Sequence, residues 1–298
     1  MASANLRAFT TMYVSVMDEY DGDSAILKID HNGLATPWEI EWDNGQSLSD
    51  PEGLALDSAG NLYINDGAFI FRISPEGIGT TFATKPNEFY GYGIALDAAG
   101  NVYAVGGVGV GYGIYRYLPD GSEMEGGAWA TPAVTELTLG PDSALYAAEG
   151  FGGTVGRYTP GGTRTDYAID LEFPMGLAFD PQGNLFVSGG SDPDIIYRIP
   201  AGGGTPVLFG GGEYLTRGLA VDDYGTLFSA TETLCGCHYQ IMRFNGEGES
   251  FAFSVLGDNQ RPNAIVIVRS IPEPSTWALA AAGLGLAALR CGRRTRRG

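Results

Sequence analysis

Few residues in this chain are equipped for chemistry by type and spacing. There are two histidines, His31 and His238, and three cysteines, Cys235, Cys237 and Cys291. Cys235-Gly-Cys237-His238 gathers two thiols and an imidazole, donors that soft metals take. Its Cys-x-Cys spacing is shorter than that of common zinc sites, and no fourth ligand stands nearby. It is not a Cys-x-x-Cys-His haem attachment either. A local disulfide or free thiols fit the triplet better. His31 precedes Asn32-Gly33 and reads as a turn residue. The stretch Asp18-Glu-Tyr-Asp21-Gly-Asp23-Ser24 groups carboxylates around a glycine without the spacing of an EF-hand loop. It reads as a solvated acidic turn, with structural Ca²⁺ on Asp18, Asp21 and Asp23 as the alternative; no other cofactor is expected. No Ser-His-Asp order, phosphate-binding glycine loop or pair of catalytic carboxylates stands out.

The elements that must position any site are set by an internal repeat. Pro51-Glu-Gly-Leu-Ala-Leu-Asp57 is followed by Gly60-Asn-Leu-Tyr63 and Ile70-Phe-Arg-Ile73. The phrase returns at Tyr90–Asp97, in a worn copy at Thr135–Leu139, at Pro174–Asp180 and at Thr216–Asp222. Each unit reads as strand, turn, strand, loop, strand. Asp-x-x-Gly-Asn between apolar runs is hairpin chemistry, because Asp bonds nearby backbone and Gly accepts positive φ. A fourth strand fits in the remainder, for example Thr80–Ala83 or Pro206–Phe209. Four short antiparallel strands in a unit of this length describe a propeller blade.

The ends complete the count. Met12–Val16, Ile26–Ile29 and Trp38–Trp42 match the second, third and fourth strands of a blade whose first is missing. Pro262–Val268 supplies that first strand. The sequence therefore predicts an all-β, six-bladed propeller closed by its two termini in one blade, which leaves the ring no open edge. A basic residue recurs on each third strand: Lys28, Arg72, Arg116, Arg157, Arg198 and Arg243. The expectation is structural, a long stem between blades whose head reaches a carboxylate, such as the phrase-ending Asp57, Asp97, Asp180 and Asp222, or a carbonyl.

Over residues 11–268 the repeats resemble NHL-repeat propellers and their virginiamycin B lyase-like and gluconolactonase-like relatives. The resemblance implies six blades and leaves activity open, since this scaffold hosts enzymes and binders alike. Enzymes on it place their site at the mouth of the central channel. The residue before the glycine (or its replacement) of each first strand is expected there: Glu52, Tyr92, Thr135, Met175, Arg217 and Asn263. One acid, one amide, one base and one aromatic suit a small ligand better than a divalent metal, which wants several oxygens. Only Asn263 resembles part of the gluconolactonase pattern. The histidine that lyase chemistry of the virginiamycin B type needs is absent from the first and second strands.

The end of the chain differs in kind. The 13-residue apolar run Trp277–Leu289 is shorter than a spanning helix needs. Arg290, Arg293, Arg294, Arg296 and Arg297 follow it. Pro272-Glu273-Pro274-Ser275-Thr276-Trp277, the apolar segment and the arginines closely resemble the PEP-CTERM sorting signal. That resemblance implies an exosortase partner, transient membrane association through a short apolar helix, cleavage near Pro272–Pro274 and delivery to the surface or matrix of a Gram-negative bacterium. Such proteins are commonly associated with exopolysaccharide. Met1–Thr10 lacks the apolar region of a secretory signal, so the reading is that the start lies upstream or the signal was lost. The expected organisation is an extension at 1–10, a propeller at 11–270 and the sorting tail at 271–298.

Charge narrows the partners. The chain carries a net −18, and the part before Pro272 carries −22. Such a body repels a polyanion, so nucleic acid is excluded as a partner. The function expected is a binding module for an exopolysaccharide or a surface protein, with loop aromatics Phe89, Tyr90, Tyr92 and Phe151 available for stacking on sugars. A hydrolase or lyase in the channel mouth and a purely structural matrix protein are the alternatives.

Overall fold

The computed structural model describes residues 11–18, 24–85, 92–107, 113–124, 129, 133–190, 195–211, 214–233, 238–257 and 259–268. The chain divides into Met1–Val268 and Arg269–Gly298. The sorting tail, with Pro272, Glu273, Pro274 and the expected helix, therefore lies outside the described residues. So do Asp21, Asp23, Phe89, Tyr90, Cys235 and Cys237.

Six sheets surround an axis. Blade 1 holds β1 (Thr11–Asp18), β2 (Ser24–Ile29) and β3 (Ala35–Pro37). After the short strand β4 (Glu41–Trp42), blade 2 holds β5 (Pro51–Leu56), β6 (Leu62–Asp66), β7 (Phe69–Ile73) and β8 (Ile78–Thr84). Blade 3 holds β9 (Ile94–Leu96), β10 (Val102–Gly106) and β11 (Gly113–Tyr117). Blade 4 holds β12 (Glu136–Leu139), β13 (Leu145–Glu149), β14 (Thr154–Tyr158) and β15 (Arg164–Ala168). Blade 5 holds β16 (Leu177–Phe179), β17 (Leu185–Gly189), β18 (Ile195–Ile199) and β19 (Val207–Gly211). Blade 6 holds β20 (Tyr214–Val221), β21 (Leu227–Thr233), β22 (Tyr239–Phe244) and β23 (Ser250–Val255).

The final strand, β24 (Gln260–Val268), pairs antiparallel with β1 and becomes the inner strand of blade 1. The expected closure by both termini is what forms. The inner strands contact one another in the order β24, β5, β9, β12, β16, β20 and back to β24.

Local chemistry explains the blades. Asp57, Asp97 and Asp180 each accept the amides two and four residues on, and the other carboxylate oxygen holds the Asn side chain at the fourth. The glycine between them has φ near +85° (Gly60 86°, Gly100 83°, Gly183 83°), where a side chain would be strained. The second strands β6, β10, β13 and β17 are buried at every residue, because neighbouring blades cover both faces. Their apolar runs therefore do not alternate with polar residues.

Two expectations need correction. Trp38–Trp42 is not the fourth strand of blade 1; Ala35–Pro37 is, and Glu41–Trp42 runs parallel to β8 on the outer edge of blade 2. Aromatic anchors explain the switch: Trp38 stacks on Tyr13 at 4.8 Å, and Trp42 meets the edge of Phe71 at 4.8 Å. Gly79 on β8 leaves the space that Trp42 fills. The third-strand bases also differ from expectation. Asp57, Asp97 and Asp180 are engaged by their own turns, and each base stands across the sheet from an aromatic. The pairs are Tyr13 with Lys28, Tyr63 with Arg72, Tyr103 with Arg116, Tyr146 with Arg157, Phe186 with Arg198 and Phe228 with Arg243. Lys28 Nζ lies 3.8 Å from the Trp38 ring centre, so cation–π attraction replaces the ion pair there. Arg157 does reach a carboxylate, Asp142, at 2.7 Å.

Candidate functional site at the channel mouth

Each inner strand starts at the same end of the ring, the end where second strands finish and third strands begin. At that end β5, β20 and β24 differ from the rest. β5 skips Glu52 between the pairs Pro51–Asp66 and Gly53–Asn65. β20 skips Arg217 and Gly218 against one residue of β21, and β24 skips Asn263 between Pro262–Val16 and Ala264–Ser15. Each is a bulge, an extra residue that bends the strand and re-aims a side chain. The three bulged strands are consecutive in the ring, so Arg217, Asn263 and Glu52 lie on one arc of the mouth.

Groups on this arc are buried without being satisfied. Glu52 Oε2, Asp50 Oδ1, Arg217 Nε and Asn263 Nδ2 have no hydrogen-bond partner among the described residues. Buried polar atoms nearly always find one, and leaving one unmade costs about 1–3 kcal/mol. Asn263 is only 8% exposed. Arg217 is anchored by a long contact of its terminal nitrogen with Glu232 Oε2 at 3.5 Å.

The electrostatics follow from enclosure. Burial, reinforced by Asp50, pushes the Glu52 carboxyl up to about 7 against the pull of Arg217, Arg261 and Lys85. Burial and Asp66 raise Asp50 as well. Lys85 is buried, and enclosure lowers its amine to about 8 although Asp66, Glu52 and Asp50 oppose this. Its Nζ donates to Asn65 Oδ1 at 2.7 Å. Asn65 in turn donates to the carbonyls of Tyr92 and Val105 at 2.8 and 2.9 Å, tying blade 2 to blade 3. Glu136 is pushed up to about 8 by burial, with the Leu137 amide opposing and Glu52 adding to the rise.

The other three mouth candidates are engaged otherwise. The Thr135 hydroxyl donates to the Pro174 carbonyl at 2.9 Å. Tyr92 is half-buried against the core around Tyr103 and Leu137, not an exposed stacking ring as expected. Met175 is half-buried, and its backbone amide bonds the Ser188 carbonyl. Among the other candidates, Asp18 ends β1 opposite Gln260, His238 is exposed, and His31 sits in the turn between β2 and β3. Among the described residues no three His, Cys, Asp or Glu side chains are grouped to hold a metal ion.

Sequence reasoning missed Asp50, Lys85, Glu136, Glu232 and Arg261. One of them had a signal. The repeat places glycine at Gly53, Gly93, Gly176 and Gly218, where the next inner strand comes too close for a Cβ. Blade 4 has Glu136 at that position. The space left by the missing Cβ of Gly93 is taken by the Glu136 carboxyl and the Leu137 amide. Lys85 and Asp50 stand in connections between blades, outside the repeated phrase, and carry no such signal.

Comparison with known proteins separates the tail from the body. Residues 270–297 match the model of the PEP-CTERM protein-sorting motif. The chain ends in a PEP-CTERM sorting motif. The motif implies recognition by an exosortase and an exported protein of a Gram-negative bacterium. No curated protein matches the chain. Among solved structures, a streptogramin B lyase is 19% identical at TM-score 0.62, over 85% of this chain and 86% of that one. A chain from the nidogen/laminin complex is 16% identical at TM-score 0.64, over 86% and 98%. A proposed gluconolactonase is 19% identical at TM-score 0.54, over 75% and 91%. These likenesses establish the propeller fold.

Proposed function

We propose that this is an exported, surface-associated propeller that binds a glycan through the mouth arc formed by Glu52, Asp50, Arg217 and Asn263. The observation that carries this reading is the mixture of unpartnered groups on the arc. Arg217 Nε and Asn263 Nδ2 donate; Glu52 Oε2 and Asp50 Oδ1 accept. A sugar hydroxyl does both at once, so neighbouring hydroxyls suit donors and acceptors set side by side. The acidic body favours neutral or amino sugars over acidic ones. A surface protein is the other partner of this class, and the nidogen/laminin neighbour comes from a complex of two proteins.

The test is a glycan array followed by calorimetry on the native chain and on Arg217→Ala, Asn263→Ala and Glu52→Gln. The reading predicts binding to a neutral glycan, weakened about tenfold or more by each change. Binding that ignores all three changes would remove the arc from the account.

A second reading, a hydrolase or lyase at the same mouth, draws on the Glu52 carboxyl at about 7, poised to exchange a proton near neutrality. Its test is turnover of sugar lactones and cyclic depsipeptides. A rate that follows a single ionisation near pH 7 and vanishes in Glu52→Gln would favour the enzyme.

A further inference from the structure

An aromatic corner stands on the same face, on blade 4, opposite the arc across the ring. Phe151 lies in the short helical turn Gly150–Gly152 after β13 and is 79% exposed. It meets Phe173, from the connection between β15 and β16, edge to face, with ring centres 5.3 Å apart and planes at 90°. The connection is held in an unusual conformation: Asp170 and Phe173 have φ of +59° and +42°. For a bulky residue this is an outlier that persists only where the surroundings enforce it. The enforcement is visible. The Leu171 amide donates to the Gly153 carbonyl at 2.9 Å, the Gly190 amide to the Glu172 carbonyl at 2.5 Å, and the Thr135 hydroxyl to the Pro174 carbonyl at 2.9 Å. Gly150 lets the Phe173 ring approach to within 3.4 Å of where its Cβ would stand.

The exposed area decides what such a corner can hold. Two rings, buried fully, cover about 150–250 Å² each, well short of the roughly 800 Å² that a stable protein partner buries on one side. One pyranose ring, with its apolar C–H face, is a match in size. We infer that Phe151 and Phe173 form a second glycan subsite that stacks an equatorially substituted pyranose, so that the ligand is an extended chain spanning the mouth from this corner to the arc. The inference rests on the glycan reading of the arc.

The test uses the full chain and cello-oligosaccharides from glucose to cellohexaose, titrated by calorimetry. The native protein should bind cellohexaose at least tenfold more tightly than glucose. Phe151→Ala should erase that length dependence while leaving the affinity for glucose unchanged. Phe173→Gly should do the same. Equal affinity for short and long sugars, length dependence that survives Phe151→Ala, or no binding of any member would overturn the inference. If Asn263→Ala abolishes glucose binding but no length dependence exists, the arc stands and the corner falls. Glucose affinity untouched by Asn263→Ala would discard the arc, and with it the span from corner to arc, even if Phe151→Ala erased the length dependence.

Discussion

Glu136 carries a cost that the repeat does not ask of other blades. Its carboxyl is half-buried, and Oε1 accepts a hydrogen bond from the Leu137 amide at 2.8 Å. The folded state holds its proton up to about pH 8, whereas the ordinary value is 4.5. Between those values the folded state binds more protons than the unfolded chain, so stability falls as pH rises and the loss is complete above 8. Glu52 adds the same sign between 4.5 and about 7. Lys85 acts in the opposite direction only above about 8. The melting temperature should therefore be higher at pH 5 than at pH 8. Glu136→Gln should flatten that slope and stabilise the protein at pH 8 by about 2 kcal/mol, read from thermal melts at both pH values. A slope unchanged in Glu136→Gln would show that burial does not raise this carboxyl. The arc is also a residue-scale feature, and Asp50 was the member of it that the chain did not reveal. Counting one place back from the repeat glycine finds Glu52, Arg217 and Asn263. It finds Tyr92, Thr135 and Met175 equally, because spacing cannot tell which strands bulge.

At the scale of the element, the inner strands are set by how closely their backbones approach. A Cβ on Gly93 would strike the Leu137 amide and the Glu136 backbone, and backbone cannot rotate away. Gly93→Ala should cost about 2 kcal/mol through overpacking, measured by denaturant unfolding. Gly45, with nothing within 4 Å of its Cβ position but φ of +71°, should cost less on the same change. Most strands were legible because hairpin turns and apolar runs recur in phase. The Trp38–Trp42 segment misled because its apolar residues read as a strand of their own blade. Their partners, Tyr13 and Phe71, lie on two different blades, and only the folded arrangement brings Trp42 to Gly79.

For the whole molecule, closure is the structural claim with most at stake. Ile265 and Ile267 of β24 are 6% exposed and pack in one core with Met12, Val14, Phe228 and Ile241. Fully burying each such side chain contributes about 1.5–3 kcal/mol, against a total stability of about 5–15 kcal/mol. A chain ending before Gln260 should lose its cooperative melt and aggregate through the bared edge of β1. A chain ending after Val268 should melt as the full chain does. Closure was readable because the N-terminal blade lacks its first strand and the C-terminal phrase supplies it. The ligand was not readable, since a binding surface depends on which polar atoms remain unpartnered after folding.

The most direct test of the mouth as a binding site is a crystal structure of the protein with a glycan selected on an array. The account predicts sugar hydroxyls within hydrogen-bonding distance of Asn263 Nδ2, Arg217 Nε and Glu52 Oε2. A glycan bound at the opposite face, beside the Asp57–Asn61 or Asp97–Asn101 turns, with the arc untouched, would contradict it.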